Sequence, residues 1–206
     1  MPYGLSLASG PASEPLTLAE AKKQVELATQ DTAHDEHLLR LIAAARKYAE
    51  DYTGRAIVTQ TWDLFLDSWP VKRGELTVWL PKPPLQSVTF VKYYDGDGVQ
   101  QTWSSANYVV RTSREPGCIS LAYGISWPTF RFQPDTINIR YVAGYGARTS
   151  VPENMKAAML LMVGHWFSHR EEVVAGQANA VPFAAHALLD TLRVGDEFQC
   201  YSDAQV

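Results

Sequence analysis

The hydrophobic period of this chain changes twice, and that restricts the folds open to it. From Asp35 to Thr53 the apolar positions Leu38, Ile42, Ala45, Ala49 and Tyr52 step by four, three, four and three, the buried stripe of one helix. From Thr61 the period falls to two, with Trp62, Leu64 and Leu66 alternating with Thr61, Asp63, Phe65 and Asp67. The same alternation recurs in "LTVWL", "SVTFVKYY", "NYVVRT", "CISLAY" and "TINIRYV", broken by "WPVKRG", "PKPP", "DGDG" and "REPG". Strands of this length between such turns predict an antiparallel sheet of hairpins. After "AGYGARTS" the helical period returns at Pro152, with Met155, Met159, Met162, Val163, Trp166 and Phe167 on one wide face.

Two shorter helices complete the pattern. "TLAE" (Thr17 to Glu20) is a capping box that opens a helix running to about Ala28. Past the loop "EEVVAGQANAV", a last helix spans about Pro182 to Val194, with Phe183, Ala187, Leu188 and Leu192 as its expected buried side. Gly54 is placed to close the second helix in the left-handed conformation. Helices at both ends of the chain must meet to bury their stripes, so the sheet reads as an insertion. The expected fold is α+β: a helical core of about four helices with an antiparallel β lobe between helices two and three. The expected organisation is one domain over 1–206. It has a flexible Gly/Pro/Ser-rich arm at 1–14, a helical core at 15–57 and 151–194, a β insertion at 58–150 and a tail at 195–206.

Composition removes several classes of function. No apolar run approaches the ~20 residues a membrane span requires, and the start lacks signal-peptide features, so an intracellular, soluble protein without membrane contact is expected. Cys118 and Cys200 stand far apart, which predicts reduced thiols. The net charge is −4, with eight acids and six bases in 1–57, seven and nine in 58–150, and seven and three in 151–206. No basic stripe for gripping phosphates stands out; passage of nucleic acid is still allowed.

The sharpest catalytic lure is His165 with His169, four apart on one helix. A zinc protease needs glutamate after the first histidine, where Trp166 stands, and Glu172 or His186 would have to supply a third ligand. His165 reads better as a partly buried, hydrogen-bonded side chain, and His169 as a cation near a helix end. "DGDG" at 95–98 reads as a hairpin turn, since the other ligand positions of a calcium loop are missing. "AGYG" lacks the third glycine and the lysine of a phosphate loop, and no Gly-x-Ser-x-Gly elbow occurs. No catalytic residue, metal or cofactor is assigned.

The aromatic content, six tryptophans and ten tyrosines, is more than one modest core readily absorbs. Phe65, Trp79, Val91 and Tyr93 are placed on the strand faces opposite Leu64, Leu76, Leu80, Val88 and Phe90. The loop "GISWPTFRFQPD" adds Trp127, Phe130, Arg131 and Phe132. The expected interface set is therefore Phe65, Trp79, Tyr93, Trp127, Phe130, Arg131 and Phe132. A satellite cluster tucked under the sheet is the alternative.

The ordered segments "PLTLAEAKKQV", "LIAAARKYAEDYTGRAIVTQTW", "LPKPPLQSVTFVKYYDGDG", "INIRYVAGYG", "VPENMKAAMLLMVGHWFSHRE" and "VPFAAHALLDTLRV" resemble the head–tail connector, or adaptor, proteins of tailed bacteriophages over residues 15–194. The resemblance implies a non-enzymatic virion part in the neck: a homo-oligomeric ring of about twelve copies under the portal, through which DNA passes without specific binding. It also implies docking of residues 193–206 on the portal, with Arg193, Phe198 and Tyr201 as anchors, and a stopper or tail-completion protein at the other end. Two rivals remain open at this level. One is a metal-dependent enzyme built on His165 and His169. The other is a β-lobe module that binds carbohydrate or peptide through Trp127.

Overall fold

The computed structural model describes residues 3–69, 76–169 and 183–195. In chain order the elements are β1 (Tyr3–Ser9), α1 (Leu18–Gln24), α2 (Asp35–Thr53), β2 (Gln60–Leu66), β3 (Thr77–Trp79), β4 (Leu85–Tyr94), β5 (Gln100–Trp103), β6 (Tyr108–Arg111), β7 (Cys118–Leu121), β8 (Ile137–Ala143), α3 (Glu153–Ser168) and α4 (Phe183–Asp190). They form two compact units: a helical one over Ser13–Val58 and Tyr145–Arg193, and a sheet unit that contains Thr59–Gly144 and the N-terminal strand. The sheet lobe does lie between helices two and three in the chain.

The helical unit forms as its periodicity requires. Leu38, Ile42, Ala45 and Ala49 of α2 are sealed against Met155, Met159, Met162 and Val163 of α3, with Leu16 and Ala21 on one side and Ala185 and Leu189 on the other. Each fully buried aliphatic or Met side chain contributes roughly 1.5–3 kcal/mol. Gly54 closes α2 at φ 72°. Lys22, almost wholly buried, pairs with Asp35 at 2.6 Å and donates to the Thr29 carbonyl at 3.1 Å, fastening the connection from α1 to α2. Phe183 was expected on the buried side of α4 but is 87% exposed, and the helix turns Ala185 and Leu189 inward instead. A helix apolar nearly all round has no unique inward face, so its partners set the rotation. Tyr48 and Tyr52 of α2 meet His186, and the Tyr52 hydroxyl donates to Asp190.

The capping box is present at both hydrogen bonds: the Glu20 N–H donates to Thr17 Oγ1 at 3.0 Å, and the Thr17 N–H donates to Glu20 Oε2 at 2.6 Å. Burial by itself would raise the Glu20 pKa; the Thr17 hydroxyl and backbone N–H outweigh it and hold the group below its ordinary value. A lowered folded-state pKa stabilises above the unfolded value, and that contribution fades as pH falls through the folded one. Thr17→Ala should therefore cost about 1 kcal/mol in urea unfolding at neutral pH, with a smaller difference from the parent in acid.

In the sheet unit, one five-stranded antiparallel sheet has the order β1-β2-β8-β4-β5, and a three-stranded one has the order β3-β7-β6. The first strand corrects the expected flexible arm. Tyr3 to Leu7 pair with Leu66 to Trp62, and Ser9 with Thr61, so residues 3–9 are an edge strand of the larger sheet. β8 alternates strictly, burying Ile137, Ile139, Tyr141 and Ala143. β4 does not. Its pairing with β8 shifts register between Leu85 and Ser87 and again between Val88 and Phe90, and each extra residue flips the side-chain phase. Beyond the second shift Val91 and Tyr93 share the core face with Ile139 and Ile137 and Phe90 the outer face with Arg140, while Val88, between the shifts, pairs with the buried Tyr141. Val91 is completely buried, and Leu76 is 57% exposed.

The two sheets meet around a ring cluster. Trp69 stacks on Trp127 at 4.5 Å and 10°, and Trp103 lies 5.3 Å from Trp127 and 5.5 Å from Tyr108. Close approach is enforced at Gly117, where a Cβ would sit 2.3 Å from Leu85 Cβ. "DGDG" is the β4–β5 turn: Asp95 Oδ1 accepts from the N–H groups of Asp97 and Val99, and Oδ2 from the Gln101 amide.

Candidate assembly surface

The outer face of the larger sheet carries a charged and aromatic network. Asp63 and Arg140 are register partners on β2 and β8, and the guanidinium donates to both carboxylate oxygens at 2.8 and 2.7 Å. The same guanidinium lies 5.1 Å from the Phe90 ring, with the Lys92 ammonium 4.6 Å from that ring. Phe65, Lys92, Tyr94, Asp135 and Asn138 line a concavity of about 320 Å³ on this face. Apart from Phe65, none of these residues was singled out in the sequence, because Asp63 meets Arg140 only through strand pairing.

Among the described residues, the two most exposed large apolar side chains, Tyr123 and Phe132, lie on the connection from β7 to β8. Tyr123 is fully exposed, Phe132 is 88% exposed and Ile125 is 39% exposed. The backbone beneath them is held in place. The Arg131 N–H donates to Tyr94 O at 2.9 Å, the Thr136 hydroxyl to Arg131 O at 2.8 Å, and the Asp135 N–H to Asp67 at 2.9 Å. Rings presented on anchored backbone lose little freedom on contact, a property of interface anchors.

The structure divides the expected interface set. Phe132 and Arg131 are exposed and Phe130 is half-buried on this connection. Phe65 is on the outer sheet face, whereas Tyr93 is on the core face, half-buried. Trp79 is half-buried on β3, paired with Cys118. Trp127 is half-buried, with its ring stacked on that of Trp69 at 4.5 Å. Tyr123 was missed, because a lone tyrosine beside Gly124 carries no periodic signal.

Arg193, proposed as a portal anchor, is exposed and lies 5.9 Å from the Tyr52 ring; Phe198 and Tyr201 fall outside the described residues. The His165 and His169 rings stack at 4.7 Å, and His169 Nδ1 sits 3.1 Å from the His165 carbonyl, where its N–H donates. One ring nitrogen is thus committed to the backbone. Among the described residues no three His, Cys, Asp or Glu side chains cluster so as to hold a metal ion.

The chain thus combines a helical unit, interrupted in sequence by a two-sheet unit, with aromatic rings held outward on anchored backbone. The profile of the head completion protein family matches residues 15–181, and the chain belongs to that family. No curated protein matches it. Among solved structures, it is similar to a chain from the neck of an empty GTA particle computed with C6 symmetry, at 24% identity and TM-score 0.75, covering 93% of this chain and 96% of that one. A chain from the virion of a native gene transfer agent (GTA) particle matches at 23% identity and TM-score 0.73, covering 93% and 95%. A chain from the neck of a native GTA particle computed with C12 symmetry matches at 22% and 0.67, covering 93% and 96%. These likenesses establish a shared fold over both units.

Proposed function

We propose that this chain is a head–tail connector, a structural subunit of the virion neck that joins its own copies in a ring of about twelve beneath the portal. The observation that carries the reading is family membership over 15–181, joined to a fold found in necks computed with sixfold and twelvefold symmetry. A closed ring needs two different patches, one meeting the other on the next copy. Tyr123, Ile125 and Phe132 supply exposed apolar side chains for such a patch. The acidic balance, −4 per copy, makes such a ring repel DNA phosphates, which suits a duct through which DNA slides without sticking. Residues 193–206 dock on the portal, and the opposite end meets a stopper or tail-completion protein. No described helix is long and apolar enough to cross a membrane.

Tyr123→Asp combined with Phe132→Asp tests this reading. Both side chains are exposed, so unfolding stability should move by no more than about 0.5 kcal/mol per site. Incorporation into necks, measured by quantitative mass spectrometry of purified particles, should fall at least ~10-fold. A folded double variant that enters particles at the parental level would overturn the assignment of this surface.

A further inference from the structure

The edge of the larger sheet at β1 is held in an unusual way. β2 needs a strand there, and β1 supplies it from Tyr3 opposite Leu66 to Ser9 opposite Thr61. Yet every side chain of β1 is exposed except that of Leu5, which is half-buried, and even on the core side Tyr3 and Leu7 are 39% and 48% exposed. The strand carries no Lys, Arg, Asp or Glu, the usual guards of a permanent free edge. Its backbone ladder with β2 is one that an identical strand from another copy satisfies equally well. Its tether is Gly10-Pro11-Ala12-Ser13, which runs from the sheet unit into the helical one. A Cβ added at Gly10 would meet nothing closer than a Leu7 methyl at 3.8 Å, so the start of the tether is not crowded.

We infer that in the assembled ring Tyr3–Ser9 is a donor strand that pairs with β2 of the neighbouring copy rather than with its own. The inference rests on the ring reading above. Exchange preserves the register and the ladder, so it sacrifices no contact of the free subunit, and the ring holds the neighbouring β2 at high local concentration. The donor's body then lies against the strand it has given and covers Tyr3 and Leu7. Successive copies are linked through main-chain hydrogen bonds, which need no matching side chains.

Ser9 and Thr61 are register partners, so cysteines placed there report the exchange. In a Cys200→Ser background, where Cys118 remains buried, Ser9→Cys protein and Thr61→Cys protein are mixed and assembled into rings with the portal, then oxidised. A disulfide-linked dimer on a denaturing gel, at least ~10-fold above either variant alone, is expected, with a ladder of multimers from the chain carrying both cysteines. Internal disulfides in the doubly substituted chain with no dimer from the mixture would overturn the inference and leave the ring intact. Rings that form but cross-link in neither arrangement would overturn it too. If the unsubstituted protein gives no ring by electron microscopy, the ring reading falls and the exchange with it.

Discussion

Trp69→Ala should lower the unfolding free energy by about 3–5 kcal/mol, enough to leave the sheet unit at the margin of stability. Trp69 has no exposed surface, stacks on Trp127 at 4.5 Å and lies 5.5 Å from Trp103. Truncation removes one member of a three-indole cluster and leaves a void lined by rings, which are too rigid to close over it. Trp69→Phe keeps part of the stacking and should lose less. Guanidinium unfolding followed by indole fluorescence checks both, because Trp103 and Trp127 report from the same cluster. A loss under 1 kcal/mol for the alanine variant would mean that the cluster does not hold the unit together.

The second large effect is expected at Glu50→Ala, at about 3 kcal/mol or more. Glu50 is nearly buried on α2. One carboxylate oxygen accepts from Arg46 at 2.9 Å, the other from the buried Ile57 N–H at 3.2 Å. Burial opposes the charge of Arg46, and the Glu14 and Glu50 carboxylates override it, raising the guanidinium pKa. Removing Glu50 orphans a buried N–H and takes one of two carboxylates from a half-buried guanidinium. The damage falls where the chain leaves the helical unit: the Ile57 carbonyl accepts from the Tyr145 N–H at 3.1 Å, so outgoing and returning segments are joined there. Glu50→Gln keeps an acceptor for Ile57 and should recover part of the loss. Thermal unfolding of the three proteins at neutral pH decides it, and equal stability of the alanine and glutamine variants would contradict the account.

Much of the helical unit was legible because its signals are local. The α2 stripe, its closure at Gly54 and the Thr17–Glu20 box each depend on residues within one or two turns, and each formed where the spacing placed it. The sheet unit was legible as strands but less so as surfaces. In β4 two register shifts put Val88 out of phase with Phe90 and Val91, and no residue type announces them: Gln86 and Thr89 are ordinary strand residues. β1 does alternate Tyr3, Leu5 and Leu7 with small residues, but its glycine, serine and proline surroundings read as an arm until β2 is brought beside it. Gln100–Trp103, also unread, is too short to show a period. The packing of Trp127 against Trp69 and Trp103 was not legible because those partners are distant in sequence, and Tyr123 was overlooked because exposure of a loop ring is decided by the fold around it. Glu50 was passed over as one more polar residue on a helix; only the return of the chain at Ile57 makes it a fastening.

Outward rings on this subunit are expected to be covered by other copies in a neck ring. The most direct measurement is a side-chain-resolution cryo-electron microscopy reconstruction of the assembled neck. The account predicts a rotationally symmetric ring of this chain, with Tyr123 and Phe132 closed off by the adjacent copy. A particle holding this protein as isolated copies, or a ring in which both rings face solvent, would contradict it.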